Sequence, residues 1–351
     1  MSPVKQVWIL LLCASLPAFA SPRRAAKTSS SATSQPGKIP ITLDVVVDGK
    51  SGPVSELQQQ DFTLLDNKHP QAIQSFRTVS AEGAPVKAVV VIDTVNTSFE
   101  TTSTERHQLE KFFLQTGGRL AVPVSLVIYS DAGLKMQPVA STDGHAALAF
   151  LNQNPVAVHA ANEPKGSEGE FDRIEKSLGA LRSLAVGNLS VPGRKLLIWV
   201  SPGWPMPMPS ALGLMPKEKA QIFNRIVAVT GLLLMSHTTV YVVDPNGTDD
   251  AAGFRTNRYK EYLNEIKSPS QPQVANLALQ VFAIHSGGRV FVGSNDISGS
   301  LNDCLRDAES YYSISFDPPA ASHPNEYHHL EIKLDKPGLK ARTRSDYYWQ
   351  P

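Results

Sequence analysis

Cysteine is nearly absent from this chain. Its 351 residues include two, Cys13 and Cys304, and the first lies in a stretch laid out like a cleaved leader. A mature chain would then carry one thiol and no internal disulfide. Its fold must rest on a hydrophobic core, and the roughly 330 remaining residues are ample for one or two. An excess of one charge is missing too: 33 basic side chains face 32 acidic ones, for a net charge of +1. That balance gives no electrostatic case for nucleic acid or an acidic membrane surface. Beyond the leader no apolar run is long enough to span a bilayer; Ile226 to Met235 comes nearest and is interrupted by Thr230 and Gly231. GxSxG, a P-loop and HExxH are all absent, so the usual hydrolase, nucleotide and metalloprotease arrangements have no anchor.

The leader reads as Lys5, an apolar run from Val7 to Leu16, then Ala18-Phe19-Ala20. This is the order of a secretory signal peptide over residues 1–20, cleaved near Ser21. Lipid attachment at Cys13 is disfavoured because the bulky Leu12 precedes it. The expected address is periplasmic or extracellular. Residues 21–38, rich in Ser, Thr, Ala and basic side chains, read as a flexible linker.

Three short β-type runs fill residues 39–82, separated by Asp-Gly, Ser-Gly-Pro and Asp-Asn-Lys-His-Pro turns. Then comes VKAVVVIDTVNTS, from Val86 to Ser98. Its β-branched run stops at an acid followed by small polar residues, as a buried central strand ending in a polar loop does. In an open α/β sheet ligands lie at such a carboxyl end, which puts Asp93, Thr94, Asn96 and Thr97 at the expected functional edge. Helix and strand patterns alternate to residue 310. Thr102 to Gly117, Glu170 to Ala185, Lys217 to Ser236 and Val274 to His285 read as helices, and KLLIWV (Lys195 to Val200) as another core strand. From Tyr311 the chain returns to alternating β character. The expected fold is a doubly wound, mostly parallel α/β domain over 83–310, inserted in a small antiparallel β domain made by 39–82 pairing with 311–351.

Several stretches carry a chemical and a plain reading side by side. Asp244-Pro245-Asn246-Gly247, with Asp249 and Asp250, has calcium-like composition, but turn chemistry accounts for it. His323, His328 and His329 invite a transition metal; a histidine pair in an alternating strand points to opposite faces, which favours a solvated strand. Cys304, between Leu301 and Leu305, reads as a small core residue. The stretch SPGWPMPMPSALGLMP, with Trp204, Met206, Met208 and Met215, reads either as an exposed apolar surface for a partner or as a loop folded back over the sheet edge. A second insertion, 248–272, reads as partly helical around Tyr259 to Ile266.

The strand ending in DTVNT, the repeated strand–helix units and the flanks VVVDGKSGPVSELQQQDFTLLDN and HLEIKLDKPGLKARTRSDYYW together resemble the von Willebrand factor type A-related family described mainly from acidobacteria. The resemblance covers roughly residues 41–350. It implies a type A fold and, at the strand end, a metal-ion-dependent adhesion site that would take Mg²⁺ or another divalent cation. Asp93 matches the first acid of its DxSxS motif and Thr97 the last hydroxyl. Val95 stands at the other hydroxyl, Ser167 falls near the second-loop threonine, and Ser201-Pro202-Gly203 replaces the third-loop Asp-Gly. The site implied is therefore degenerate. The function implied is protein binding without catalysis, with Asn96, Ser167, Ser201 and Trp204 as partner-facing residues. The alternatives are a structural subunit of a cell-envelope assembly that pairs strands at its β edges, or a hydrolase of envelope polymers.

Overall fold

A computed structural model describes residues 40–50, 52–80, 86–154, 166–207, 213–248 and 257–350. The expected signal peptide, the linker, the tip of the Met-rich loop and Asp249 and Asp250 lie outside the described residues. Residues 39–351 form one compact unit.

The chain opens with β1 (Ile41–Gly49), β2 (Gly52–Pro53), β3 (Phe62–Asp66), β4 (His69–Gln71) and β5 (Ser75–Ser80). The alternating part follows: β6 (Val86–Asp93), α1 (Phe99–Leu114), β7 (Arg119–Ser130), β8 (Gly133–Met136), β9 (Ser141–Asp143), α2 (Gly144–Gln153), α3 (Ser167–Asn188) and β10 (Arg194–Val200). It continues through α4 (Pro216–Met235), β11 (Thr238–Val243), α5 (Leu279–His285), β12 (Val290–Phe291) and α6 (Ile297–Arg306). The tail is β13 (Ser310–Phe316), β14 (Tyr327–Leu334), β15 (Lys340–Arg342) and β16 (Asp346–Tyr348).

The central sheet has the order β12-β11-β10-β6-β7-β8, with β9 also paired to β7. β12, β11, β10, β6 and β7 run parallel, and β8 and β9 run antiparallel to β7. Successive residues of a strand face opposite sides, so β6 and β10 supply two cores at once. Val89, Val91, Leu197 and Trp199 pack with α3, α4 and α5; Ala88, Val90, Ile92, Leu196, Ile198 and Val200 pack with α1, α2 and α6. Continuous apolar runs are what a sheet covered on both faces requires. Pro123 lies inside β7, but pairing with β6 starts only at Val124; its missing N–H is therefore not needed by that ladder.

The N-terminal strands pair with the tail. β1 and β5 flank β13, and β14 lies between β3 and β16. Leu43, Val45, Phe62, Leu64, Tyr312, Ile314, Leu330 and Tyr347 fill the space between these two antiparallel sheets. The outer residues of the β1 sheet are not solvated throughout: Val46, Val79 and Tyr311 pack into the α1 side of the central core. A shared face of this kind makes the boundaries at 83 and 310 changes of sheet within one compact body. Two helix readings change. The pattern from Val274 breaks into a 3₁₀ turn, Val274–Leu277, and then α5, with Ala278 extended between them. The 259–266 helix is a 3₁₀ turn, Arg258–Tyr262, anchored by buried Tyr259 and Tyr262.

Candidate functional site

β6 leads through α1 to β7 on one side, whereas β10 leads through α4 to β11 on the other. The crevice between the carboxyl ends of β6 and β10 is thus the point where the winding reverses, the usual ligand position in such sheets. Asp93 ends β6 there and is 0% exposed. Its Oδ1 accepts from the backbone N–H groups of Val95 (3.0 Å) and Asn96 (2.9 Å). Its Oδ2 accepts from Asn96 Nδ2, Trp199 Nε1 and Ser201 Oγ, each at 2.9 Å. Asn96 Nδ2 also donates to Ser177 Oγ on α3 at 3.0 Å, and Ser177 Oγ lies 3.3 Å from Tyr129 OH. Burial pushes the Asp93 carboxyl above its ordinary value, while the bonds from Asn96, Trp199 and Ser201 pull it back. All five contacts are made by donors, so the ionised carboxylate is the form they serve.

That arrangement tests the implied metal directly. A carboxylate offers about four lone-pair positions, and Asp93 already meets five donors. An indole N–H, which can only donate, aims at the oxygen a cation would need. Val95 is buried and carries no ligand atom, and Ser201, at the place of the third-loop acid, donates to Asp93 instead. With these donors in place Asp93 does not fit a cation. Thr97 differs: it is buried and its Oγ1 has no hydrogen-bond partner. Among the described residues no group of three or more His, Cys, Asp or Glu side chains is placed to hold a metal ion.

Two partner-facing expectations change as well. Ser201 is fully buried, and Gly203 N donates to its Oγ at 3.1 Å. Trp204 is 3% exposed and packs edge-on against Trp199, with ring centroids 5.6 Å apart, and against Phe282. The cause is Gly203, whose φ of +98° turns the chain inward. A Cβ at Gly203 would also meet Gln280 Nε2 at 1.8 Å, so only glycine serves. The start of the Met-rich loop is folded back over the core, and its apolar exposure moves to Met215, 63% exposed, with Met206 and Leu214 partly exposed. Asn96 is partly buried. Ser167 opens α3, and its side chain lies outside the described residues.

Other singled-out residues find ordinary partners. Asp244 is buried, with its carboxyl pushed up to about 6 by burial, and accepts from Asn246 N at 2.9 Å in a side-chain-capped turn. Cys304 is buried among apolar side chains, and burial raises its thiol well above the ordinary range. His328 is not solvated: it is 3% exposed, its Nδ1 lies 2.8 Å from Asp66 Oδ1, and it stacks on Tyr347, which donates to Asp66 Oδ2 at 2.6 Å. His329 sits at the surface, 3.2 Å from Glu265, and His323 is exposed. Ser345, His285 and Asp346 come together, yet Ser345 Oγ and Asp346 Oδ2 both contact the same ring nitrogen, Nδ1. Nucleophile activation needs the hydroxyl and the carboxylate on opposite nitrogens.

Pattern reading missed Trp199, Ser177, Tyr129 and Glu105. For Glu105 a signal existed: it is one turn before Leu109 on the stripe 105/109/112/113, an acid in an apolar position.

No family profile matches the chain, and no curated protein matches it. Among solved structures it is similar to a pilus adhesin, SpaC of Lactobacillus rhamnosus GG, at 10% identity over 82% of this chain and 47% of that one, with a TM-score of 0.39. It is also similar to manganese-loaded TRAP of Plasmodium vivax, at 10% identity over 78% and 97% of the two chains, with a TM-score of 0.32. The chain spans about half the length of the adhesin. Both scores are too low to carry an argument. What the sheet order and site define is a mixed α/β protein: a Rossmann-like, mostly parallel sheet joined to small antiparallel sheets. Its carboxyl edge is closed by an internally satisfied carboxylate. Among the described residues no helix is long and apolar enough to cross a membrane.

Proposed function

We propose that this is an exported, non-catalytic binding module of the von Willebrand factor type A-like kind, periplasmic or extracellular, which recognises a protein through loops at the carboxyl edge of its parallel sheet. The observation that carries the reading is the Asp93 cluster, in which one carboxylate fixes the 94–98 loop, Trp199 and Ser201 with five hydrogen bonds. Such an edge is pre-organised for contact, and among the described residues Asp93 is fully engaged by protein donors. Recognition would not use a bridging metal. Its apolar share would come from Met215, Leu214 and Met206, flexible side chains that suit a protein surface. Export rests on the leader at 1–20.

A second reading rests on one observation. Among the described residues β5 ends its sheet and pairs on one side only, with β13, so its other edge would serve strand addition in an envelope assembly. Site-specific photo-cross-linking separates the two. With a benzophenone side chain at Met215 or at Ser75, adducts from Met215 that persist in EDTA support the loop reading. Adducts from Ser75 alone favour strand pairing, and adducts that vanish in EDTA contradict a metal-independent contact.

A further inference from the structure

The inner face of α1 carries an acid where the rest of its stripe is apolar. Glu105 is 1% exposed and stands one turn before Leu109, on the stripe that continues to Phe112 and Phe113 in the core on that side of the sheet. Neither of its carboxylate oxygens has a hydrogen-bond partner among the described residues. The turn before it is tied down at two points. Ser98 Oγ caps the helix by accepting from Thr101 N at 3.3 Å, and Thr101 Oγ1 donates to Asn246 Oδ1, just past β11, at 3.1 Å. Glu105 is therefore held inward on a helix whose first turn is fastened to the 94–98 loop and to the β11 end.

Charge on the surrounding elements does not compensate it. On α1 itself Arg106 pairs with Glu110 at 3.4 Å, Lys111 pairs with Asp296 ahead of α6 at 3.7 Å, and His107 is exposed. On α6 Arg306 bonds to Asp303, and on α2 His145 pairs with its cap Asp143 at 3.1 Å. Arg119 opens β7 beyond the far end of α1. The end of β11 offers an acid, Asp244, and the 94–98 loop has no titratable side chain. From β6 it is Asp93 that acts on Glu105, with a charge of the same sign.

An ionised carboxylate buried with neither cation nor donor is strongly unfavourable, so a group so placed keeps its proton instead. Burial first, and the Asp93 charge second, accordingly hold the Glu105 carboxyl well above the usual carboxylate range. The two acids divide their roles: five donors serve an ionised Asp93, and an apolar face keeps Glu105 neutral. We infer that Glu105 is a proton-gated latch. Uncharged, it lies in the core and holds the N-terminal half of α1 against the sheet; once ionised it moves to water and frees that half together with the 94–98 loop. The direction follows from proton linkage. The folded carboxyl keeps its proton to a higher pH than the unfolded chain, whose glutamate ionises near the ordinary 4.5. The stabilisation is fully present below about pH 4.5 and is lost as pH rises towards the folded value, the unfolding constant growing by up to about tenfold per pH unit in that window. The inference rests on burial and bonding in α1 and not on the proposed recognition surface, although the loop that would be freed belongs to that surface.

The test compares wild type with Glu105→Gln, which keeps the shape and cannot ionise, by urea unfolding from pH 5 to pH 9. The ratio of the wild-type unfolding constant to that of the variant is expected to rise at least ~10-fold between pH 5 and pH 8. Hydrogen exchange, corrected for its intrinsic pH dependence, should show the amides of 94–105 opening more readily over the same range in the wild type alone, with those of β10 unchanged. Infrared difference spectra of wild type minus Glu105→Gln at pH 7 should contain the C=O band of a protonated carboxyl. A ratio that does not change with pH overturns the inference, as does a carboxylate band in the folded wild type at pH 7. Exchange at 94–105 that is identical in the two proteins overturns the latch. Should Glu105→Gln fail to fold, Glu105→Leu, which completes the apolar stripe, takes its place in all three comparisons. Met215 cross-linking is read at pH 5, where the latch is closed; adducts missing there while the pH signature is intact would count against the recognition reading alone.

Discussion

The two ends of the parallel sheet both bury carboxylates, and they satisfy them by different chemistry. Towards the amino end, Arg194 opens β10, donates to Asp307 O and to Tyr241 OH, and lies 4.7 Å over the Tyr311 ring. Asp307 Oδ2 accepts from Tyr241 OH and Arg342, each at 2.7 Å, and Arg194 comes within 3.8 Å of Asp44 on β1. Charge meets charge there, and the pairs join the α/β core to the antiparallel strands. At the carboxyl end Asp93 meets only neutral donors, and Glu105 meets none. The amino end is thereby tied to the antiparallel strands, whereas the carboxyl end is braced by hydrogen bonds from its own loops to Asp93. A parallel sheet has two ends of unlike chemistry, and here they satisfy their buried carboxylates in unlike ways.

The comparison breaks first, if at all, at Asp307. Asp307→Ala strands the Arg342 guanidinium and the buried Tyr241 hydroxyl, and about 3–5 kcal/mol should be lost in urea unfolding. Asp93→Ala leaves neutral donors unpaired rather than charges, so about 2–3 kcal/mol is expected. Equal or reversed losses would mean that the two ends do not differ in the way described.

A third substitution sharpens the contrast through pH. Burial lowers the affinity of His285 for a proton, but the Asp346 carboxylate more than offsets it, leaving His285 above its ordinary 6.5. Because its folded value is raised, the stabilisation is fully present below about pH 6.5 and is lost as pH rises through the folded value. His285→Gln should remove about 1 kcal/mol at pH 5.5 and nearly nothing at pH 9; a loss that grows with pH would reverse the sign. The smallest effect on stability belongs to Met215→Ser, within about 0.5 kcal/mol of wild type by unfolding, together with weakened partner cross-linking from neighbouring loop positions.

The central strand was legible because a continuous β-branched run can be buried on both faces and little else, and its stop at Asp93 marked the carboxyl end of that strand. The same reasoning did not supply the long-range partners of Asp93. Its partners Trp199 and Ser201 lie more than a hundred residues away in sequence, and no local pattern says that an indole N–H will aim at that oxygen. Trp204 turned inward because Gly203 takes a positive φ beside Gln280, a contact that single-sequence reading does not supply. His328 was read as solvated from strand alternation alone. Its burial depends on Asp66, 262 residues earlier in the chain. Glu105 stood in plain view on an apolar stripe and was passed over because amphipathic matching tolerates one mismatch.

The most direct test of the account is calorimetric titration of Mg²⁺ and Mn²⁺ into the folded protein and into Asp93→Asn, with near-ultraviolet circular dichroism confirming that the variant keeps its packing. The account predicts the same isotherm for both, because every Asp93 lone pair is already taken by the protein. Micromolar to low-millimolar binding by the wild type that disappears in Asp93→Asn would contradict it and restore a metal-bridged adhesion site.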